Sequence, residues 1–210
     1  MPETYVITGG AGFIGSHLAE RLLRDGQRVR IVDNFATGKR ENLAAIQPGY
    51  ELFEVSITDK AALDEAFAGA DYVLQQAALP SVPRSIDDPL TTHEYNVTGT
   101  LNGLLAARDA GVKRVAYAAS SSAYGDIEGE YKVETMAPRP LSPYGVSKLA
   151  GEYYAQAFTA VYGLETVALR YFNVFGPRQD ETSQYAAVIP RFLAAMLRGE
   201  PPIIYGDGLQ

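Results

Sequence analysis

The chain has 210 residues, a formal net charge of −7, no cysteine and two histidines. This length suits one well-buried α/β domain plus a fragment of a second, and the lack of cysteine excludes a disulfide framework and a thiolate site. With so few histidines we expect no metal site, and the interspersed charges argue against nucleic-acid binding. The sequence shows no secretory leader or long apolar run, so we expect a soluble, cytoplasmic protein with no membrane contact.

The hydrophobic pattern predicts strands and helices in regular alternation. The predicted strands are 4–8, 28–33, 51–55, 72–76, 114–120 and 165–170. The predicted helices are 12–25, 60–67, 90–110, 144–161 and 187–198. Four of these helices are closed by a glycine, at positions 26, 111, 163 and 199. Strands separated by helices predict an α/β fold with a doubly wound parallel sheet, Rossmann-like, with helices on both faces.

A glycine-spaced turn joins the first predicted strand to the first helix. It contains Gly9, Gly10, Gly12 and Gly15. Gly9 permits a tight turn, Gly12 lets the backbone approach a phosphate, and Gly15 lets the helix pack closely on the strand. The N–H groups and the dipole of the helix N-terminus favour an anion. The segment therefore predicts the pyrophosphate site of a dinucleotide.

An acidic residue ends the second predicted strand. The Asp33 carboxylate can accept hydrogen bonds from both hydroxyls of an adenosine ribose. The same charge would repel a 2′-phosphate, and the next residues are Asn34 and Phe35 rather than an arginine. We therefore predict NAD rather than NADP. The alternative is an ordinary strand, turn and helix with an incidental acidic residue.

Three later strands end in polar residues: Gln75 and Gln76, Ser120 to Ser122, and Arg170 to Asn173. Ligands of open α/β sheets bind beyond the carboxyl ends of the strands, so these residues would face one crevice. Each could by itself be an ordinary loop entry. Their coincidence indicates a ligand site.

Tyr144 and Lys148 are spaced to share one face at the start of a predicted helix. A free tyrosine has a pKa of about 10. A lysine ammonium and an oxidised nicotinamide nearby would lower this pKa and let the phenol act as a base. Ser120 could hydrogen-bond the same substrate oxygen. A surface aromatic–cation pair and a serine-rich turn are the alternatives to this catalytic set.

Five motifs occur together and in order: Thr8 to Gly15, Asp33-Asn34, Ser120 to Gly125, Tyr144 to Lys148, and Arg170 to Asn173. In this combination the chain resembles the extended short-chain dehydrogenase/reductases of the NAD-dependent epimerase/dehydratase family. It looks most like the UDP-hexose 4-epimerases, including those that act on UDP-N-acetylhexosamines. The resemblance implies NAD as cofactor, a UDP-sugar as substrate, and a homodimer with a four-helix interface formed by helices 90–110 and 144–161.

The resemblance also implies which residues contact the ligands. Cofactor contacts fall on the three catalytic candidates Ser120, Tyr144 and Lys148 and on Gly9, Gly12, Phe13, Ile14, Gly15, Asp33, Asn34, Phe35, Thr37, Gly38, Ser56, Ile57, Gln76, Ala77, Ala78, Pro80, Asn96, Tyr171 and Phe172. Substrate contacts fall on Ser81, Arg84, Ser122, Asn173, Val188, Ile189, Arg191 and Tyr205. Ser56 stands where the family often has an aspartate, and its hydroxyl can still bond the adenine edge. Residues 1–173 would bind NAD, and 174–210 would begin a nucleotide-sugar-binding domain.

The implied reaction is 4-epimerisation of a UDP-hexose through a transient 4-keto intermediate. Two alternatives stay open: a nucleotide-sugar 4,6-dehydratase and a catalytically incomplete NAD-binding domain. Dehydratases need a further acid and base, and Ser121 and Ser122 stand where such relatives look to carry an Asp-Glu pair. The incomplete domain is an alternative because the family continues past the position of Gln210. Plain, N-acetylated and uronic acid hexoses stay open as substrates.

Overall fold

The strands form one parallel sheet of six in the computed structural model, which describes residues 1–127, 131–179, 188–204 and 206. The strands are β1 Thr4–Thr8, β2 Arg28–Val32, β3 Tyr50–Phe53, β4 Tyr72–Gln75, β5 Arg114–Ser120 and β6 Glu165–Tyr171. Their order across the sheet is β3-β2-β1-β4-β5-β6, and every pairing is parallel. The order reverses between β1 and β4, which makes their carboxyl ends the expected ligand crevice. The predicted doubly wound fold is confirmed.

The helices agree with the predicted ones to within a residue or two at most ends. They are α1 Phe13–Arg24, α2 Arg40–Ala44, α3 Lys60–Phe67, α4 Val82–Asp87, α5 Pro89–His93, α6 Gly99–Asp109, α7 Pro143–Tyr162 and α8 Val188–Leu197. The four glycines predicted to close helices all have φ between 68° and 74°. α2 and α4 were not predicted, because helices of five and six residues are too short to show a helical period.

The predicted helix 90–110 is interrupted. A π-helical turn, Glu94–Thr98, separates α5 from α6. Within this turn the Asn96 side chain, which is 1% exposed, accepts a hydrogen bond from the Leu79 N–H at 2.8 Å and donates one to the Leu79 carbonyl at 3.2 Å. The extra residue of a π turn changes the helical phase, and such turns often occur at functional sites. Hydrophobic periodicity alone does not reveal this change.

Alternate strand residues enter two separate hydrophobic clusters. The first combines strand residues with α3, α6 and α7, and contains Val6, Val32, Val73, Val115, Leu63, Leu104 and Phe158. The second combines β1 and β2 with α1 and α2, and contains Ile7, Ile31, Ala19, Leu23 and Leu43. Because neighbouring residues of a strand point to opposite faces, the clusters lie on opposite sides of the sheet. Helices therefore cover both faces, as a buried parallel sheet requires.

The chain divides into two units, Met1–Phe172 and Asn173–Gln210. The division falls beside residue 173, the boundary predicted from the sequence, while the ligands assigned to each part stay predictions. The described part of the second unit contains α8, and Gly199 follows it with φ 72°. Across the described ranges, no helix combines the length and apolar character needed to cross a membrane.

Candidate active site

The turn between β1 and α1 brings backbone segments unusually close together. Gly9 has φ 70°, and its N–H donates to the Val32 carbonyl at 2.7 Å. A Cβ on Gly9 would lie 2.8 Å from the Ala77 backbone, and a Cβ on Gly15 would collide with the Gly9 carbonyl oxygen. Gly15 therefore lets α1 pack against the turn itself, rather than directly against the strand as expected. Both glycines are required by the fold of the turn.

The N-terminus of α1 fits a pyrophosphate. Its N-cap, Gly12, has an extended backbone and no side-chain capping hydrogen bond, and its first turn carries no acidic residue. A Cβ on Gly12 would lie 3.2 Å from the Gly9 carbonyl oxygen, which is a tight contact, so glycine there avoids crowding within the turn. The first N–H groups of such a helix are available to an anion. Phe13 and Ile14, the predicted pyrophosphate neighbours, form this first turn.

Asp33 fits the adenosine ribose. Its Oδ2 accepts a hydrogen bond from the Ala11 N–H at 2.9 Å, and its Oδ1 accepts one from the Phe35 N–H at 2.8 Å. The pKa of Asp33 is raised, because burial outweighs the two hydrogen bonds, which lower it. Since a carboxylate has about four acceptor sites, capacity for two ribose hydroxyls is left. A Cβ on Gly38 would lie 2.7 Å from Oδ1, so glycine there leaves the carboxylate room.

The surroundings of Asp33 agree with the predicted preference for NAD. Asn34 and Thr37 are exposed. Arg40 stacks 4.2 Å from the Phe35 ring centroid and donates to Glu54 at 2.6 Å, so an ion pair already engages this arginine.

Sequence reasoning missed Asn42 on this side of the site. This residue is 7% exposed and donates to the Ala11 carbonyl at 2.8 Å. Together with Asp33 it fixes the position of Ala11 within the glycine turn. A single asparagine in a short helix carries no pattern that would have marked it.

Ser56 and Ile57 follow β3, where the base edge was predicted. The Ser56 hydroxyl lies 2.8 Å from the Thr58 hydroxyl and accepts the Thr58 N–H at 3.2 Å. Ile57 is 4% exposed and belongs to the hydrophobic cluster on the α6 side. The structure therefore directs the Ser56 hydroxyl to its own loop and Ile57 into the core, and their contacts with adenine stay predictions.

The segment after β4 runs across the end of β1. Gln76 N–H donates to the Thr8 carbonyl at 3.1 Å, and Ala77 N–H donates to the Thr8 hydroxyl at 3.2 Å. Ala78 and Pro80 continue this segment to Ser81, which has φ 136° and caps α4 by accepting the Arg84 N–H at 3.1 Å. A non-glycine residue at positive φ is uncommon. The segment lies beside the glycine turn, as the cofactor prediction requires.

Ser120 and Tyr144 come together at the end of β5. Their side chains lie close enough for the Ser120 hydroxyl to affect the pKa of Tyr144, and Ser120 is 8% exposed. Burial raises the pKa of Tyr144, and the nearby Ser120 hydroxyl partly opposes that rise. The protein's own groups therefore leave the pKa of Tyr144 raised, because desolvation of the phenolate outweighs the favourable effect of Ser120. The lowering expected from Lys148 together with an oxidised nicotinamide stays a prediction.

Lys148 lies one helical turn beyond Tyr144 and is 4% exposed. Its ammonium donates to the Ala118 carbonyl at 2.9 Å and lies 5.3 Å from the Tyr117 ring centroid. Burial lowers the pKa of Lys148 to about 8. The structure thus brings all three catalytic candidates to the junction of β5 and α7, with the lysine bound to the strand that ends in Ser120.

Two serines that sequence reasoning missed hold the backbone of Tyr144. The Ser85 hydroxyl accepts the Tyr144 N–H at 3.0 Å, and the Ser147 hydroxyl donates to the Tyr144 carbonyl at 2.8 Å. Asn96 donates to the Ser147 hydroxyl at 3.1 Å. The Asn96 amide, predicted to border the cofactor, therefore links the π turn to the candidate catalytic residue. Only tertiary contacts distinguish these serines from any others.

The remaining candidates fall in several places. Ser122 N–H donates to the Ser120 hydroxyl at 3.1 Å, and Tyr171 is the sheet partner of Ser120. Phe172 is 59% exposed, with its ring centroid 6.2 Å from that of Tyr124. Four substrate candidates belong to the second unit: Asn173, Val188, Ile189 and Arg191. Tyr205 lies outside the described residues.

The sheet order, the glycine turn and the placement of Asp33 define a Rossmann-like dinucleotide-binding domain. The chain belongs to the NAD dependent epimerase/dehydratase family, whose model matches residues 5–210. This membership confirms the family predicted from the sequence and confirms NAD as the cofactor.

The chain is similar to family members whose names give different reactions. The chain is 42% identical to a UDP-N-acetylglucosamine 4-epimerase from Methanobrevibacter ruminantium solved with UDP-N-acetylmuramic acid, with a TM-score of 0.94 over 100% of this chain and 68% of that one. It is 43% identical to a Thermus thermophilus UDP-glucose 4-epimerase solved with NAD, with a TM-score of 0.86 over 94% and 64%. It is 37% identical to a UDP-N-acetyl-alpha-D-glucosaminuronate decarboxylase from Bacillus cytotoxicus, over 100% and 66%. The chain spans about two thirds of the length of the curated relatives it matches.

Proposed function

We propose that this chain is an NAD-dependent UDP-hexose 4-epimerase. The proximity of the Ser120 and Tyr144 side chains at the end of β5 carries the proposal, because it brings two hydroxyls to one point of the predicted crevice. The similarity to UDP-sugar 4-epimerases supports the same reaction. The residues after Ser120 are Ser121 and Ser122, which offer no acid and base for 4,6-dehydration near neutral pH.

Each catalytic candidate has a role in this proposal. Tyr144, as phenolate, takes the proton from O4 of the sugar and later returns it, while Ser120 donates a hydrogen bond to O4. Lys148 supplies positive charge one helical turn away, since its ammonium is still mostly protonated at pH 7 with a pKa of about 8. When bound, NAD⁺ supplies the acceptor that takes hydride from C4 and returns it to the opposite face of the 4-keto sugar. The cycle consumes no net oxidant.

Burial makes Tyr144 a poor base without help. Its raised pKa favours the neutral phenol, so proton removal depends on positive charge gathered close to it. Lys148, held in place by the Ala118 carbonyl, is the cation that α7 provides. The single Ser120 O–H is the donor to O4 in this proposal, so Lys148 has the larger part in stabilising the phenolate. Ser81, Arg84 and Ser122 would contact the nucleotide sugar, in keeping with the resemblance, and the substrate contacts assigned to the second unit stay predictions.

The test uses the purified chain with UDP-galactose and UDP-N-acetylgalactosamine. Released NAD is measured after denaturation, and C4 epimers are resolved by chromatography. Tyr144→Phe should keep bound NAD and lower the epimerisation rate by about 10²–10⁴-fold, the usual contribution of a general base. NAD without turnover in both proteins would instead indicate a cofactor-binding domain, and a 4-keto-6-deoxy product would indicate a dehydratase.

A homodimer in the cytoplasm completes the proposal. Exposed apolar side chains on α5 and α7 support a helical interface: Leu90 is 82% exposed, Val146 54%, Tyr153 52% and Val161 70%. Several such residues on neighbouring helices suit a protein–protein contact better than solvent. Sedimentation equilibrium of the chain and of a Leu90→Lys/Val161→Lys variant should show a dimer and a monomer, respectively.

A further inference from the structure

A bidentate ion pair is buried between α7 and the end of β6. Arg170 donates from Nε to Glu152 Oε2 at 2.9 Å and from Nη2 to Oε1 at 2.7 Å. The two side chains are only 11% and 8% exposed. Paired N–H···O bonds between planar groups fix both distance and orientation. The pair therefore fixes the position and orientation of α7 relative to the end of β6.

The same guanidinium holds a third segment. The Arg170 Cζ lies 4.5 Å from the ring centroid of Tyr124, which is 3% exposed. Tyr124 ends the short 3-10 turn Ser121–Ala123 that follows Ser120. A cation over an aromatic face attracts more strongly when both are removed from water. Arg170 thus links the turn after β5 to the helix and to β6.

Two of these segments adjoin or carry the candidate catalytic residues, since the turn follows Ser120 and α7 carries Tyr144 and Lys148. Glu152 lies two turns beyond Tyr144 on α7, near the face that carries Tyr144 and Lys148. Arg170 is the sheet partner of Ala119, the residue directly before Ser120. The ion pair therefore joins the helix that carries Tyr144 and Lys148 to the strand that pairs with the end of β5.

Stability is a poor reason for this arrangement. Within the described part of the chain, the Arg170 Nη1 group is buried and has no hydrogen-bond partner. A buried ion pair often contributes no more stability than apolar residues of similar size, and an unpaired buried donor is unfavourable. Fixing geometry accounts better for a buried, incompletely satisfied arginine.

We propose that the Glu152–Arg170 pair, stacked on Tyr124, positions the Ser120 hydroxyl against the Tyr144 hydroxyl. Glu152, Arg170 and Tyr124 are then positioning residues, because they act through Ser120 and Tyr144. This inference rests on the proposed function. Its test therefore needs a structural readout at Tyr144 that works whether or not the chain turns over a sugar.

The test compares two double variants of the full chain by ¹³C NMR, with tyrosine labelled at its phenolic carbon. Glu152→Met/Arg170→Met removes the buried pair and keeps apolar bulk. Arg114→Met/Glu165→Met removes the pair that joins the opposite ends of the same two strands, whose side chains are 57% and 62% exposed. The Tyr144 resonance is the one that disappears in Tyr144→Phe. Bound NAD and epimerisation rate are measured on the same samples.

The buried-pair variant should shift or split the Tyr144 resonance, keep its NAD, and lower the epimerisation rate by about 10- to 100-fold, as small misplacements at a reacting centre do. The control variant should match the wild type in all three measurements. Arg170→Lys, which keeps the charge but loses the planar fork, should show a smaller shift and serves if the double variant does not fold. An unchanged Tyr144 resonance in a folded variant overturns the proposal. An inactive wild type counts against the proposed function, and the NMR comparison still decides the positioning role.

Discussion

The two ends of the parallel strands carry similar charged residues in opposite surroundings. Beside the carboxyl ends, Glu152 and Arg170 are 8% and 11% exposed. At the amino ends, Arg114 and Glu165 form an ion pair with side chains 57% and 62% exposed. A glutamate and an arginine form the ion pair at each end, with Glu152 on α7 and the other three residues on β5 and β6. Their surroundings, rather than their chemistry, distinguish a buried geometric constraint from a solvated surface pair.

Lys148 and Lys113 also lie at opposite ends of the strands and differ in burial. At the carboxyl ends, burial lowers the pKa of Lys148 to about 8. At the amino ends, hydrogen bonds with Asp71 and Glu3 raise the pKa of Lys113, whose side chain is 54% exposed. Desolvation opposes the charge in the first case, and neighbouring carboxylates support it in the second. A perturbed pKa therefore indicates a candidate site only together with burial in the crevice.

Breaking the buried ion pair should have the largest effect on stability. Arg170→Met leaves the Glu152 carboxylate buried and unpaired, so we expect a loss of about 3–5 kcal/mol in the free energy of unfolding. Urea denaturation of the wild type and the variant measures this loss. Adding Glu152→Met to Arg170→Met should recover most of it. A single variant as stable as the wild type would show that the carboxylate is easily rehydrated.

Lys148 should give the protein a distinctive pH dependence. Between pH 8 and about 10.4 the unfolded lysine binds a proton that the folded one lacks, so the free energy of unfolding rises with pH by up to about 1.4 kcal/mol per unit. Denaturation of the wild type and Lys148→Met across this window should show a difference that grows with pH. In Lys113→Met the difference from wild type should stay flat from pH 8 to 9.5, because Lys113 is protonated in both states there. A flat Lys148 difference would contradict the lowered pKa.

Alanine substitutions at Gly15 in the glycine turn and at Gly26 after α1 compare steric crowding with backbone strain. Gly15→Ala places a Cβ against the Gly9 carbonyl oxygen, and overpacking of this kind costs about 1–3 kcal/mol. Gly26→Ala meets no atom within 4 Å and is disfavoured only by its φ of 74°. Thermal or urea unfolding measures both. We expect only the Gly15 variant also to lose bound NAD, since only that glycine lies in the proposed pyrophosphate site.

Removing the exposed ion pair should have the smallest effect. Arg114→Gln breaks its hydrogen bond with Glu165, and exposed pairs of this kind contribute about 0–1 kcal/mol. The urea midpoint should change little, and the small change should disappear in high salt because screening already weakens the pair. A loss as large as that of Arg170→Met would remove the distinction between the two ends of the sheet.

Patterns that repeat along the chain predicted most of the fold. All six strands, the helices α1, α3, α7 and α8 and the four helix-closing glycines follow from apolar periodicity and turn chemistry, and the structure confirms them, whereas the predicted helix 90–110 is interrupted. The short helices α2 and α4 and the π turn were missed, because each is shorter than the window over which a period can be recognised. The π turn depends on a contact between Asn96 and Leu79, which are distant in sequence.

The sequence predicted those parts of the candidate site that are marked by a motif of residues close along the chain. The glycine turn, the acidic end of β2 and the Tyr144–Lys148 spacing are local patterns with direct chemical meanings. Ser85, Ser147 and Asn42 were missed, since each is marked only by a hydrogen bond to a residue distant in sequence. The desolvation that raises the pKa of Tyr144 was not counted in the sequence-based expectation, because burial depends on tertiary packing, and the lowering expected with an oxidised nicotinamide stays a prediction.

The sequence by itself determined the order of strands and helices, the dinucleotide turn and the identity of the three catalytic candidates. These depend on residues close along the chain, whose spacing sets which face of a strand or helix they share. Tertiary structure alone decided that Lys148 binds the Ala118 carbonyl, that Ser85 holds Tyr144, that Asn96 binds Ser147, and that Glu152 meets Arg170. Those outcomes depend on burial and on contacts between distant segments, because removal from water sets both the pKa of a charged group and the partner it must find.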